Sequence, residues 1–172
     1  MRVYLALLLC CWSISASARE ISGCGHPEYP PVSWVDNTTL VGVAPSVARH
    51  LFAELGYTLT LDTSGNWERC LQEVKAGNID VVLAAYRTEA RSEFLHYLDN
   101  YLVADPLSIF IRTADESEYR SLQDLSGKRV GLLLGDSFGD AVDQFLKQHT
   151  RREFVSKGAQ NFAKLAYSRI DL

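Results

Sequence analysis

The sequence predicts an α/β protein built as two lobes with a cleft between them. Three observations lead there. Short apolar strands alternate with amphipathic helices twice, first over 21–85 and again over 121–171. A long apolar stretch, FLHYLDNYLVADPLSIFIRTADESEYR, separates the two sets and is too rich in large side chains for a flexible linker. Polar, turn-rich segments fall at the carboxyl ends of the strands, where open α/β sheets bind ligands. A chain of 172 residues suffices for one ordinary domain or two small lobes. Its net charge of −4 comes without a basic stripe, which argues against nucleic acid or an anionic membrane surface as partner.

The elements follow in order. MRVYLALLLCCWSISASA reads as a cleaved export leader over 1–18: Arg2 gives a positive start, Val3 to Ile14 an apolar core, and Ala16-Ser17-Ala18 a small-x-small cleavage pattern. Acylation at Cys10 or Cys11 is the weaker alternative. Removing the leader leaves Cys24 and Cys70, an even pair that an oxidising compartment would bridge; two buried free thiols are the alternative. Ile21 to Cys24 is a first strand, and the prolines of GHPEYPPVSW predict an irregular loop after it. Pro45 suits the first turn of a helix in which Val47, Leu51 and Leu55 recur at helical spacing before Gly56. Tyr57 to Leu61 alternates as a strand, and Trp67, Leu71 and Val74 share one helical face ahead of Gly77. Ile79 to Ala85 is a continuous apolar strand. The crossing stretch is expected to run as extended strands. Beyond it, Lys128 to Leu134 is a strand, and Phe138, Val142, Phe145 and Leu146 face inward on a helix. Glu153 to Val155, Asn161 to Tyr167 and Arg169 to Asp171 then read as strand, helix and the start of another strand. Lobe one with the first crossing strand is expected over 19–109, and a partial lobe two over 110–172.

The order of motifs resembles the family 3 extracellular solute-binding proteins, the polar amino-acid receptors of ABC importers. PEYPPVSW, LVGVAPSVARHLFAELG, ERCLQEVKAGNIDVVLAA, TEAR and DLSGKRVGLLLGDS carry the resemblance, which spans Ile21 to Asp171. It implies a type II periplasmic-binding-protein-like fold. It also implies that YSRIDL should lead into a further strand, a second crossing and closing helices. On that pattern a chain stopping at Leu172 has an incomplete second lobe and lacks the acidic residue that holds the ligand's amino group.

The candidate site gathers at the strand ends. The resemblance gives Arg91 of TEAR the role of clamping a ligand carboxylate. A planar guanidinium suits that chemistry, because its donors match a carboxylate bidentately. The alternative is a solvated arginine pairing with Glu89 or Glu93, a weak interaction. Thr88 belongs to the same motif, and Tyr86 matches a position whose polar group often touches ligand. Arg87 is read as bracing the wall. Tyr29 matches an aromatic that stacks over the ligand side chain, and Trp67 is either the opposite wall or core. His26 and Glu28, beside Tyr29, could tune selectivity. In GDS, Ser137 and nearby backbone N–H groups could hold an anion or cap a helix. Asp136 stands where a hydroxyl residue is commoner.

The reading that follows is a periplasmic receptor, a monomer, that closes on an amino acid or similar carboxylate and delivers it to a membrane ABC permease. No cofactor is implied, and the four histidines show no metal-ligand spacing. Two alternatives stay open. One is a dehydratase on the same fold with Glu28 or Asp136 as general acid, and the other is a ligand-sensing domain.

Overall fold

The structure, a computed structural model, describes residues 19–172; the expected leader over 1–18 lies outside the described residues. Lobe one is a three-stranded parallel sheet in the order β5-β1-β6. Strand β1 spans Arg19–Gly25, β5 Tyr57–Asp62 and β6 Val81–Leu83. Helix α1 (Val43–Glu54) covers one face and α2 (Trp67–Lys75) the other. Both α2 and β1 contribute to a core of Cys24, Trp67, Cys70, Leu71 and Ile79. Its center is a disulfide between Cys24 and Cys70, with Cα atoms 5.8 Å apart. The opposite face packs Val32, Leu40, Ala44, Ala48 and Leu83 together.

Helix α1 packs by its small side. Ala44, Pro45 and Ala48 are buried, which lets the helix lie close to the sheet, while Val43, Val47, Leu51 and Leu55 are exposed. The aliphatic spacing that marks this helix in the sequence therefore runs along its outer side.

The proline-rich loop departs from expectation. GHPEYPPVSW is not irregular: β2 (Glu28–Tyr29), β3 (Ser33–Asp36) and β4 (Thr39–Val41) form a small antiparallel sheet. The prolines are compatible with it because Pro30 and Pro31 sit in the connection between β2 and β3, joined by a cis peptide bond, where no ladder donor is needed. Gly42 then starts α1 at φ 121°, and a Cβ there would stand 2.5 Å from the Val32 carbonyl oxygen.

The crossing stretch is a second correction. Residues 93–112 contain neither strand nor helix among the described residues, and two 3₁₀ turns follow at Thr113–Glu118 and Leu122–Leu125. Side-chain anchors hold the stretch instead of a ladder. Val103 packs on the lobe-one core, and Tyr97 donates to the Tyr86 carbonyl at 2.8 Å. Arg112 donates to the carbonyls of Leu165 and Ile170, at 3.2 and 2.9 Å, and pairs with Asp115 at 2.6 Å.

Lobe two repeats the plan of lobe one. Strand β7 (Arg129–Leu133), helix α4 (Asp140–His149), strand β8 (Arg151–Val155) and helix α5 (Gly158–Ala166) follow in turn, with β7 and β8 parallel. Residues 171–172 then return to the other edge of β7: Asp171 N–H donates to the Arg129 carbonyl and Gly131 N–H to the Leu172 carbonyl. The correspondence extends to side chains. In Asn78-Ile79-Asp80 the isoleucine is buried, and the Asp80 carboxylate accepts the Ser22 N–H of β1 at 2.8 Å. In Arg169-Ile170-Asp171 the isoleucine is again buried, and the Asp171 carboxylate accepts the Arg129 N–H of β7 at 2.8 Å.

Candidate functional site

Strand β6 ends early because Ala84 adopts φ 58°, a left-handed conformation that turns the chain out of the sheet. Ala85 and Tyr86 thereby reach the space between the lobes. A single turn of helix, α3 (Glu89–Ser92), follows, capped by Thr88, whose hydroxyl accepts the Arg91 N–H at 3.1 Å. That cap fixes the turn so that the Arg91 side chain points at lobe two.

A cavity of about 510 Å³ lies between the lobes. Lobe one contributes His26, Tyr29, Trp67, Tyr86 and Arg91, the crossing stretch Asp105, and lobe two Asp136 and Ser137. Phe138, Val142, Leu165 and Ile170 form an apolar floor on the lobe-two side. Of the residues singled out in the sequence, the cavity brings together Arg91, Tyr29, Tyr86, Trp67, Asp136 and Ser137. Thr88 is buried outside the cavity lining and acts through the cap on Arg91. Arg87 is exposed, with its guanidinium 5.9 Å from the Tyr97 ring center.

Arg91 is 8% exposed. It donates to the Tyr86 carbonyl at 2.9 Å and, across the cleft, to the Gly135 carbonyl at 2.7 Å. Its guanidinium also stands 5.8 Å from the Trp67 ring center. Among the described residues no carboxylate comes within ion-pair distance of it. A buried cation solvated by carbonyls alone retains unused donors and an uncompensated charge.

Other bonds cross between the lobes. His26 Nδ1 accepts the Glu28 N–H at 3.0 Å, which assigns the ring proton to Nε2, 3.3 Å from the Asp136 carboxylate. Glu28 in turn accepts the Gly158 N–H at the start of α5, at 2.8 Å, and Asp140 accepts the Glu89 N–H at 3.1 Å. Gly135 sits at φ 84° against the start of α2, where a Cβ would stand 2.9 Å from Glu68 Cα. The Ser137 hydroxyl donates to Asp143, which also accepts the Phe138 N–H at 2.9 Å. The Ser137 hydroxyl and the Phe138 N–H, two groups that could have held an anion, are therefore taken by a carboxylate in the first turn of α4.

Two residues of the site carry no sequence signal. Tyr97 shares the Tyr86 carbonyl with Arg91, and burial raises its phenol pKa. Asp105 lies beside two phenols. Burial, and then the Asp105 carboxylate, push Tyr86 up to about 12 and raise Tyr29 as well.

Two parallel-sheet lobes facing each other across a cavity, with a buried arginine on its wall that meets no carboxylate among the described residues, define a two-lobed α/β fold with an interlobe cleft. Residues 21–168 match the bacterial extracellular solute-binding proteins, family 3, and the chain belongs to that family. It is 26% identical over 109 residues to the arginine-binding extracellular protein ArtP of Bacillus subtilis (strain 168), a match covering 63% of this chain and 41% of that protein. The chain thus spans less than half the length of that curated relative. Among solved structures it is similar to an ancestral arginine-binding protein bound to arginine, with a TM-score of 0.71 and 23% identity over 90% of this chain and 69% of that one. It is also similar to an ancestral amino acid-binding protein, a precursor of cyclohexadienyl dehydratase, with a TM-score of 0.72 and 20% identity over 88% of this chain and 67% of that one. At these identities the structural matches speak for the fold.

Proposed function

We propose that the protein captures a small amino acid or related carboxylate between its lobes and presents it to the membrane permease of an ABC importer. It would do so as a monomer in the periplasm, after removal of the 1–18 leader. One observation carries the reading: Arg91 is buried on the cavity wall with no acidic partner among the described residues. A ligand carboxylate would supply the missing charge and take the remaining donors in charge-assisted bonds. Tyr29 and Trp67 offer aromatic surface to the ligand's stem. Closure would follow from contacts made to both lobes at once, since Arg91 already bridges to Gly135.

The family and the relative named for arginine binding support transport over the dehydratase reading. Both candidate acids also have other partners, Glu28 the Gly158 N–H and Asp136 the His26 ring. Isothermal titration of the protein with a panel of amino acids and dicarboxylates tests the proposal. Saturable binding of at least one, abolished in R91A, is the expected result. Absence of heat with every compound, alongside an intact far-ultraviolet spectrum, would refute it.

A further inference from the structure

Beyond the left-handed turn at Ala84 the chain has left the sheet, and the Tyr86 carbonyl takes its bonds from side chains instead. Two donors meet on that one oxygen: the Arg91 guanidinium at 2.9 Å and the Tyr97 hydroxyl at 2.8 Å. A carbonyl oxygen has two lone pairs, so each donor has its own direction of approach. Arg91 belongs to the cavity wall, whereas Tyr97 is half-buried in the crossing stretch and is not part of the cavity lining. The turn after α3 brings it to Tyr86: the N–H groups of Phe94 and Leu95 both bond the Arg91 carbonyl, at 3.1 and 2.8 Å. The Arg91 charge lies close enough to the Tyr97 phenol to oppose the effect of burial on it. The crossing stretch also holds the far end of Tyr86, since the Asp105 carbonyl accepts the Tyr86 hydroxyl at 2.6 Å.

A guanidinium held by one hydrogen bond can pivot about it, and bidentate pairing with a carboxylate tolerates few orientations. With the Tyr97 hydroxyl on one lone pair of the Tyr86 oxygen, Arg91 is confined to the other. Its second anchor, the Gly135 carbonyl at 2.7 Å, then fixes the plane of the fork. We infer that Tyr97 is a positioning residue for ligand binding: from the segment that joins the lobes, its hydroxyl orients the Tyr86 carbonyl and so aims the Arg91 guanidinium at a ligand carboxylate. The hydroxyl is not needed to satisfy that carbonyl, which keeps Arg91 as a donor without it. Ring packing is separable too, because phenylalanine retains the face that the Arg87 guanidinium approaches at 5.9 Å. The hydroxyl contributes aim rather than folding.

The inference rests on the capture reading above, and its test separates the two. Isothermal titration with the standard L-amino acids and their α-carboxamides compares a carboxylate with a neutral group of nearly the same shape. The wild-type chain should bind at least one amino acid about tenfold or more tightly than its amide, the scale of a charge-assisted bond. Y97F should lower that preference about fivefold, the scale of one hydrogen bond, and hold the amide within about twofold of wild type. Its melting temperature without ligand should stay within about 4 °C of wild type. A packing role would weaken acid and amide alike. If Y97F nevertheless fails to fold, Y97L, which also lacks the hydroxyl, is read by the same ratio. A preference that the substitution leaves unchanged, whether both affinities hold or both fall together, overturns the assignment, as does a wild type that binds acid and amide equally. A wild type that binds no amino acid at all overturns the capture reading and this inference with it.

Discussion

Gly135 shows how much of the cleft depends on single atoms. Its carbonyl receives the Arg91 guanidinium, and its α-carbon faces the first turn of α2 with no room for a methyl group. Gly135→Ala would meet the Glu68 backbone and also strain a φ of 84°. We expect it to cost about 1–2 kcal/mol in thermal unfolding and to weaken ligand binding by pushing Arg91 and its lobe-two partner apart. Unchanged melting and affinity would mean that the lobes do not approach this closely. Arg91 itself was legible in the sequence through the TEAR motif and the resemblance it carries, whereas the Thr88 cap that aims it emerged in the structure. Asp105 was not, because an Ala-Asp-Pro in an irregular stretch has no periodicity and acquires its meaning from Tyr29 and Tyr86, both distant in sequence.

At the scale of elements, each lobe ties the segment that follows its second helix to its first strand by an aspartate. Asp80 accepts from Ser22 at the base of β1, and Asp171 from Arg129 at the base of β7. Asp171 has the stronger version, because the Arg129 guanidinium adds a bond at 2.7 Å and its pKa falls from 3.8 to about 2. A folded-state pKa below the unfolded one gives stability that is present above 3.8 and lost as pH falls through about 2. D171N should therefore unfold more easily than wild type at neutral pH, and the gap should close across that window in acid titrations followed by circular dichroism. A gap that persists unchanged below pH 2 would rule out the carboxylate as its source. The repeated strand-helix-strand order was readable because apolar runs and helical periodicity are local signals. The inner face of α1 was misleading because alanines and proline pack it while larger residues face out. The hairpin around Pro30 and Pro31 was hidden because prolines in a connection look the same in sequence as prolines in a loop.

At the scale of the whole molecule, four sets of polar bonds already join the lobes: Arg91 to Gly135, His26 to Asp136, Glu89 to Asp140 and Gly158 to Glu28. A ligand must exchange partners with some of these groups, so its measured affinity is a difference between two sets of contacts. The disulfide works on the same scale from within lobe one. Cys24 and Cys70 are 46 residues apart, and removing the bridge in a C24S/C70S variant should cost about 4 kcal/mol of stability by its loop length. Equal denaturation midpoints for wild type and variant would contradict this. The bridge also has a spatial meaning. Cys24 is followed two residues later by His26, and Cys70 comes three residues after Trp67, so two of the aromatic members of the wall are anchored near the same covalent link. Closing the Cys24–Cys70 bridge therefore does more than shorten a 46-residue loop: it ties the strand that leads to His26 to the helix that carries Trp67, at one wall of the cleft.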